Sequence, residues 1–145
     1  AVGINHQAAG TDDPFTAIGN GLDLNRNTGY AEPDQVVMNS SDFWKMRRQK
    51  DAIGNFIWGN PNAPIGSEII WGVPILTNQQ LTAGTVLTGA FRPLSARYIA
   101  RGVTIEIGRI NTQFVTLEYA IRATQREALV IYRGSGFTYV DGLTF

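Results

Sequence analysis

The chain has 145 residues, 43% of them hydrophobic and 17% charged, with twelve Lys and Arg balanced by twelve Asp and Glu. A chain of that size buries about 70% of its unfolded surface, which excludes disorder, and zero net charge excludes a global attraction to nucleic acid or anionic membrane. The lack of cysteine removes disulfides and thiolate metal sites, and no apolar run approaches the roughly 18 residues of a membrane span.

In chain order, residues 1–9 show no periodicity and no signal-peptide pattern, and they read as irregular. Asp12, Asp13 and Pro14 form a helix entry. Asp13 is the N-cap, and Pro14 occupies the first position, where an amide proton is not needed. Phe15, Ile18 and Leu22 make an apolar stripe, interrupted by Gly19 and Gly21 at about 1 kcal/mol each, and Asn27-Thr28-Gly29 is a stop. Gln35–Met38 reads as a buried strand. Ser40 or Ser41 caps a second helix, with Asp42 in its first turn and Lys45, Arg47, Arg48 and Lys50 toward its end, both complementing the helix dipole. Ile53-Gly54-Asn55 predicts a turn before a strand over Phe56–Trp58, and residues 59–66 form a loop rich in Pro and Gly. Gly72 and Pro74 divide an apolar run into short strands over Glu68–Trp71 and Val73–Leu76. Thr82–Thr85 turns into another strand centred on Val86 and Leu87.

Past Ser95 the character changes. Val103, Ile105 and Ile107 alternate with polar residues, and so do Val115, Leu117, Tyr119 and Ile121. That period predicts half-buried antiparallel strands, and the apolar Ala128–Tyr132 predicts a more central one. The expected class is α+β, with a mixed part over residues 1–95, completed by 137–145, and a strand-dominated part over 96–136.

Catalytic signatures are weak. His6 is the lone histidine, and Asp12 and Asp13 are adjacent, which suits capping better than a carboxylate dyad. Gly19-Asn20-Gly21 lacks the third glycine of a dinucleotide loop, and no G-x-S-x-G elbow is present. No catalytic, cofactor-binding or metal residue is assigned, and no cofactor or small-molecule ligand is expected. Trp44, Trp58 and Trp71 read as core anchors, so Trp71→Ala is expected to open a cavity costing about 3–5 kcal/mol. Lys45, Arg47, Arg48 and Lys50 read first as a solvated helix face, and second as a patch facing packaged DNA.

The segment from Gly66 to Phe91, "GSEIIWGVPILTNQQLTAGTVLTGAF", resembles the tailed-bacteriophage major capsid proteins of the Hong Kong 97 type. "QVVMNSSDFWKMRRQKDAIGNFIW" and "FVTLEYAIRATQREALVIYR" are similar to that family's strand-helix-hairpin and closing strands, with Gly134 where the family usually has proline. Gly3-Ile4 fits the start of the family's second half. The resemblance implies a C-terminal half of a subunit, comprising an axial domain and the long antiparallel strands of a peripheral domain. It further implies a homo-oligomer of pentamers and hexamers, within a shell in the virion that is assembled in the host bacterial cytoplasm, with no membrane partner. Some members weld subunits through a lysine–asparagine isopeptide bond with a glutamate as base. On that alignment Leu117 stands where the asparagine would be and Thr124 where the glutamate would be, so the resemblance implies non-covalent assembly. Glu106, Glu118, Arg122 and Arg126 are candidates for a subunit interface, or equally for cross-strand pairs within one chain. The alternatives are an encapsulin shell carrying cargo enzyme, a monomeric β-rich binding module and, last, a hydrolase.

Overall fold

Asp13 and Pro14 start the first helix as their chemistry requires. Asp13 is extended and accepts the Phe15 amide, and α1 runs Pro14–Asn27. The computed structural model describes residues 3–58 and 68–144, so the loop expected over 59–66 lies outside the described residues. The other elements are β1 (Asn5–Ala8), β2 (Gln35–Met38), α2 (Ser40–Arg47), β3 (Ile69–Ile70), β4 (Val73–Thr77), β5 (Val86–Gly89), the single turn α3 (Phe91–Leu94), β6 (Ser95–Gly108), the single turn α4 (Gln113–Thr116), β7 (Ala120–Ile131) and β8 (Phe137–Asp141). They form two compact units, residues 1–94 with 132–145, and residues 95–131. The division thus falls one residue before the expected first boundary, and residues 132–136 go with the first unit.

The first unit is a six-stranded mixed sheet in the order β1-β8-β5-β2-β4-β3. Register places Val36 opposite Thr88, Met38 opposite Val86, Val86 opposite Val140 and Thr88 opposite Thr138. These six residues share one face, and all are fully buried. α1 packs against β8, β5 and β1. Gly21 explains the helix's tolerance of glycine: a Cβ there would lie 2.7 Å from Val140 Cγ2, so its absence lets the helix come close to the sheet. Buried Asn25 donates to Thr88 Oγ1 at 2.9 Å and accepts from Thr138 Oγ1 at 2.6 Å, tying the helix to two strands. Both ends of the Asn25 amide are thereby satisfied. Phe43 and Met46 of α2 join Ile18, Leu22 and the sheet residues in the same core.

Several expectations are corrected. Residues 5–8 are a strand, because β1 pairs in parallel with β8, a partner more than 130 positions away. Asn39, rather than a serine, caps α2: its side chain accepts the Ser41 amide at 2.8 Å and donates to Leu81 O at 2.6 Å. Phe56–Trp58 is no strand; only a lone bridge joins Lys50 to Phe56. Residues 113–116 form a helical turn instead of continuing the alternation, closed by Leu117 in the left-handed region (φ 57°). The chain must reverse between β6 and β7, and this turn does it.

Trp71 is not a core anchor. Ile70 pairs with Val73, so Trp71 (φ 50°) and Gly72 (φ 82°) are the two central residues of a tight hairpin turn of the primed kind. The indole is 67% exposed, lies against Gly19 and donates to Phe15 O at 2.9 Å. Trp44 is exposed too, though it meets Phe43 edge-on, and Trp58, half-buried, packs edge-on against both Phe15 and Phe43. The expected effect of Trp71→Ala is therefore about 1 kcal/mol, the worth of one hydrogen bond. Thermal melting checks it: a fall of a few degrees fits this placement, and collapse of the fold contradicts it.

Candidate assembly surfaces

β6 and β7 make a two-stranded antiparallel ribbon, joined by an eleven-residue connection over 109–119. β7 is even in register, whereas β6 has irregularities between Ile99 and Arg101 and between Arg101 and Thr104. Pairing puts Ile105 with Ala123 and Ile107 with Ile121 on one face. Thr104 with Thr124 and Glu106 with Arg122 occupy the other. The alternation read from the sequence is real, but the half-burial expected from it is not. From Arg97 to Gly108 and from Ile121 to Ile131 every residue is exposed, including Ile107 at 68% and Ile121 at 71%. Ala128–Ile131, read as a central strand, lies in this ribbon too, and Tyr132 is past its end. A ribbon of two strands is marginal in water, and exposed side chains such as Ile105, Ile107, Ile121 and Leu129 on one of its faces are what a neighbouring surface would cover.

The four candidate interface residues separate. Arg122 and Glu106 are ion-paired with each other across the strands. Glu118 accepts from the Thr116 hydroxyl at 3.2 Å beside the reversing turn. Arg126 faces Arg101 across the strands and has no side-chain partner among the described residues. Arg97 and Glu127, 3.6 Å apart, form a second cross-strand pair. Arg101 went unnoticed in the sequence, since only the irregular register brings it opposite Arg126.

The basic cluster of α2 is spread over separate contacts. Lys45 Nζ lies 3.2 Å from Asp42 Oδ1, and Arg47 is paired with Glu68 at 2.8 Å in a half-buried setting. Arg48 Nε donates to Trp44 O at 3.2 Å, and Lys50 Nζ sits 4.9 Å from the centre of the Phe56 ring. Arg47 and Lys50 thus meet groups outside α2, whereas Lys45 and Arg48 contact residues of the helix itself.

His6, read as a loop residue, lies in β1 with Nε2 2.9 Å from Asp141 Oδ2. Among the described residues no group of His, Asp and Glu is arranged to hold a metal ion. No described helix is long and apolar enough to cross a membrane. An open cleft of about 470 Å³ lies between α1 and the β3–β4 turn, with Thr16, Asn20, Asp23, Arg26 and Trp71 on its walls. No catalytic pairing is evident there.

A family model described as the phage capsid family matches residues 3–142. The chain belongs to the phage capsid family. It is 32% identical over 99 residues to the major capsid protein of Enterobacteria phage HK97, covering 68% of this chain and 26% of that one. The capsid of the native GTA particle has the same fold, with a TM-score of 0.73 at 16% identity over 96% of this chain and 54% of that one. The holo-SrpI encapsulin complex from Synechococcus elongatus also shares it, with a TM-score of 0.66 at 13% identity over 96% and 53%. The chain thus spans about a quarter of the curated relative and about half of these solved structures. Leu117 is 76% exposed at the reversing turn, and Thr124 is paired opposite Thr104.

Proposed function

We propose that this chain is a portion of a structural major capsid subunit that assembles without covalent cross-links into rings of five and six and then into a shell around phage DNA in the virion. In this reading the first unit is the axial domain and the β6–β7 ribbon the long sheet of the peripheral domain. The observation that carries it is the ribbon itself: two strands of 14 and 12 residues with no buried residue and one largely apolar face. Such an element acquires its stability from neighbours, and a closed shell supplies neighbours to every copy through heterologous contacts that close on themselves. Leucine and threonine at positions 117 and 124 offer neither an amide nor a carboxylate for an isopeptide bond, which supports non-covalent assembly.

The encapsulin reading keeps the fold and replaces DNA with cargo; the likeness to an encapsulin at a TM-score of 0.66 favours it to that extent. Electron microscopy of the protein expressed from its whole reading frame tests both. Closed uniform shells containing nucleic acid are expected. Shells with none support the encapsulin, and a monomer across salt and concentration overturns both readings in favour of a binding module.

A further inference from the structure

We infer that Arg101 and Arg126 form one half of a contact between subunits, receiving a carboxylate from a second copy of this chain. The inference rests on the shell reading above and names what one ribbon face binds.

The two arginines are register partners on neighbouring strands. Like charges placed directly opposite oppose strand pairing, so within one chain the arrangement only costs stability. The other charged side chains of the ribbon have partners: Arg97 with Glu127, Glu106 with Arg122, Arg109 with the Tyr119 hydroxyl, and Glu118 with the Thr116 hydroxyl. Among the described residues, Arg101 and Arg126 alone in the ribbon have none. The two irregularities of β6 flank Arg101, and a bulge is a device for re-aiming a side chain. Two adjacent guanidinium forks offer donors that match the two oxygens of a carboxylate.

Charge distribution selects the occupant. Residues 95–131 hold five arginines against three glutamates, while the rest of the chain holds seven cations against nine carboxylates. The chain is neutral, yet its two units are complementary in sign, so one copy's ribbon is attracted to another copy's first unit. Glu106 lies on the same ribbon face and neutralises Arg122, which leaves one isolated pair of guanidiniums instead of a run of cations for a polyphosphate backbone to track, and a single carboxylate matches that pair.

The test uses the protein expressed from its whole reading frame, comparing the parent with the Arg101→Gln, Arg126→Gln double variant. We expect the unassembled variant to melt at or above the parent's temperature, because the repulsion is gone. At low salt the subunit concentration for half-assembly rises about ten-fold or more, and the difference shrinks at high salt as screening removes the parent's advantage. Three results overturn the inference. A clear fall in the melting temperature of the unassembled variant places the anion within the same polypeptide. Normal shells that retain less nucleic acid make phosphate the partner. Unchanged melting, assembly and nucleic-acid content mean the pair is merely solvated. A parent that forms no shells fails the underlying reading before the variant is compared, and the inference falls with it.

Discussion

Gly29→Ala lowers the melting temperature of the first unit by more than about 10 °C, the largest effect expected of any single methyl in this chain. The chain leaves α1 through Thr28 and passes under the segment that enters β8. A Cβ on Gly29 would lie 2.3 Å from Ser135 O, 2.6 Å from Asn25 O and 2.9 Å from Gly136 Cα. All three obstacles are backbone, so no rotamer change relieves them. Overpacking usually costs about 1–3 kcal/mol through displaced side chains, and displaced backbone puts this case at or above the upper end. The Asn25 carbonyl also accepts the Ala31 amide at 3.3 Å, so movement there disturbs the end of the helix as well. Gly136→Ala is the instructive contrast. Its Cβ would meet Leu94 Cδ1 at 2.0 Å, the end of a side chain that can turn aside, and the loss should be smaller. Calorimetry or circular dichroism of both variants checks the order. A Gly29→Ala protein that melts within a degree or two of its parent refutes the close passage of these segments.

Asp42→Ala comes second, at about 2–4 kcal/mol. Asp42 is fully buried in the first turn of α2, and Oδ2 accepts the Gly84 amide at 2.5 Å while Oδ1 accepts from Lys45. Alanine leaves the Gly84 amide without its partner, at about 1–3 kcal/mol. It also removes the favourable charge at a helix N-terminus, at about 0.3–1 kcal/mol. Lys45 is partly exposed, and water takes over its half of the pair, so the cost stays below that of a fully buried ion pair. Asp42→Asn keeps an oxygen for Gly84 and should lose about half as much. Urea unfolding of the two variants measures the difference, and equal losses would show that the Gly84 bond contributes little.

What the sequence revealed was what local chemistry decides. The Asp13-Pro14 entry, the strand at Gln35–Met38 and the acidic start and basic end of α2 are each encoded within a few residues of themselves. Belonging to the capsid family was legible too, because its short motifs recur in order along nearly the whole chain. What stayed hidden depended on distant partners. Nothing in "NHQA" distinguishes a loop from a strand until β8 lies alongside it. Alternation in Val103–Ile107 marks two faces but is silent on whether either is covered. The same period ran on through Val115 and Leu117, where Leu117 turns the chain in the left-handed region. Trp71 misled for a related reason: a tight turn placed inside an apolar run presents its largest residue to solvent. The Arg101–Arg126 juxtaposition needed the register, and the register contains irregularities that no pattern of residue types announces.

The placement of β8 has a consequence for the order of events during synthesis. It follows β1 by more than 130 residues, yet it lies between β1 and β5 and is hydrogen-bonded to both. Until residues 137–141 have left the ribosome, the sheet is two separated pieces, and Val86 and Thr88 lack their partners on that side. The ribbon, by contrast, needs only residues 95–131 and can pair earlier. Translation therefore completes residues 95–131 before the sheet of the first unit can close. Closure of the core waits for β8, whose long-range contacts are the slow kind to form.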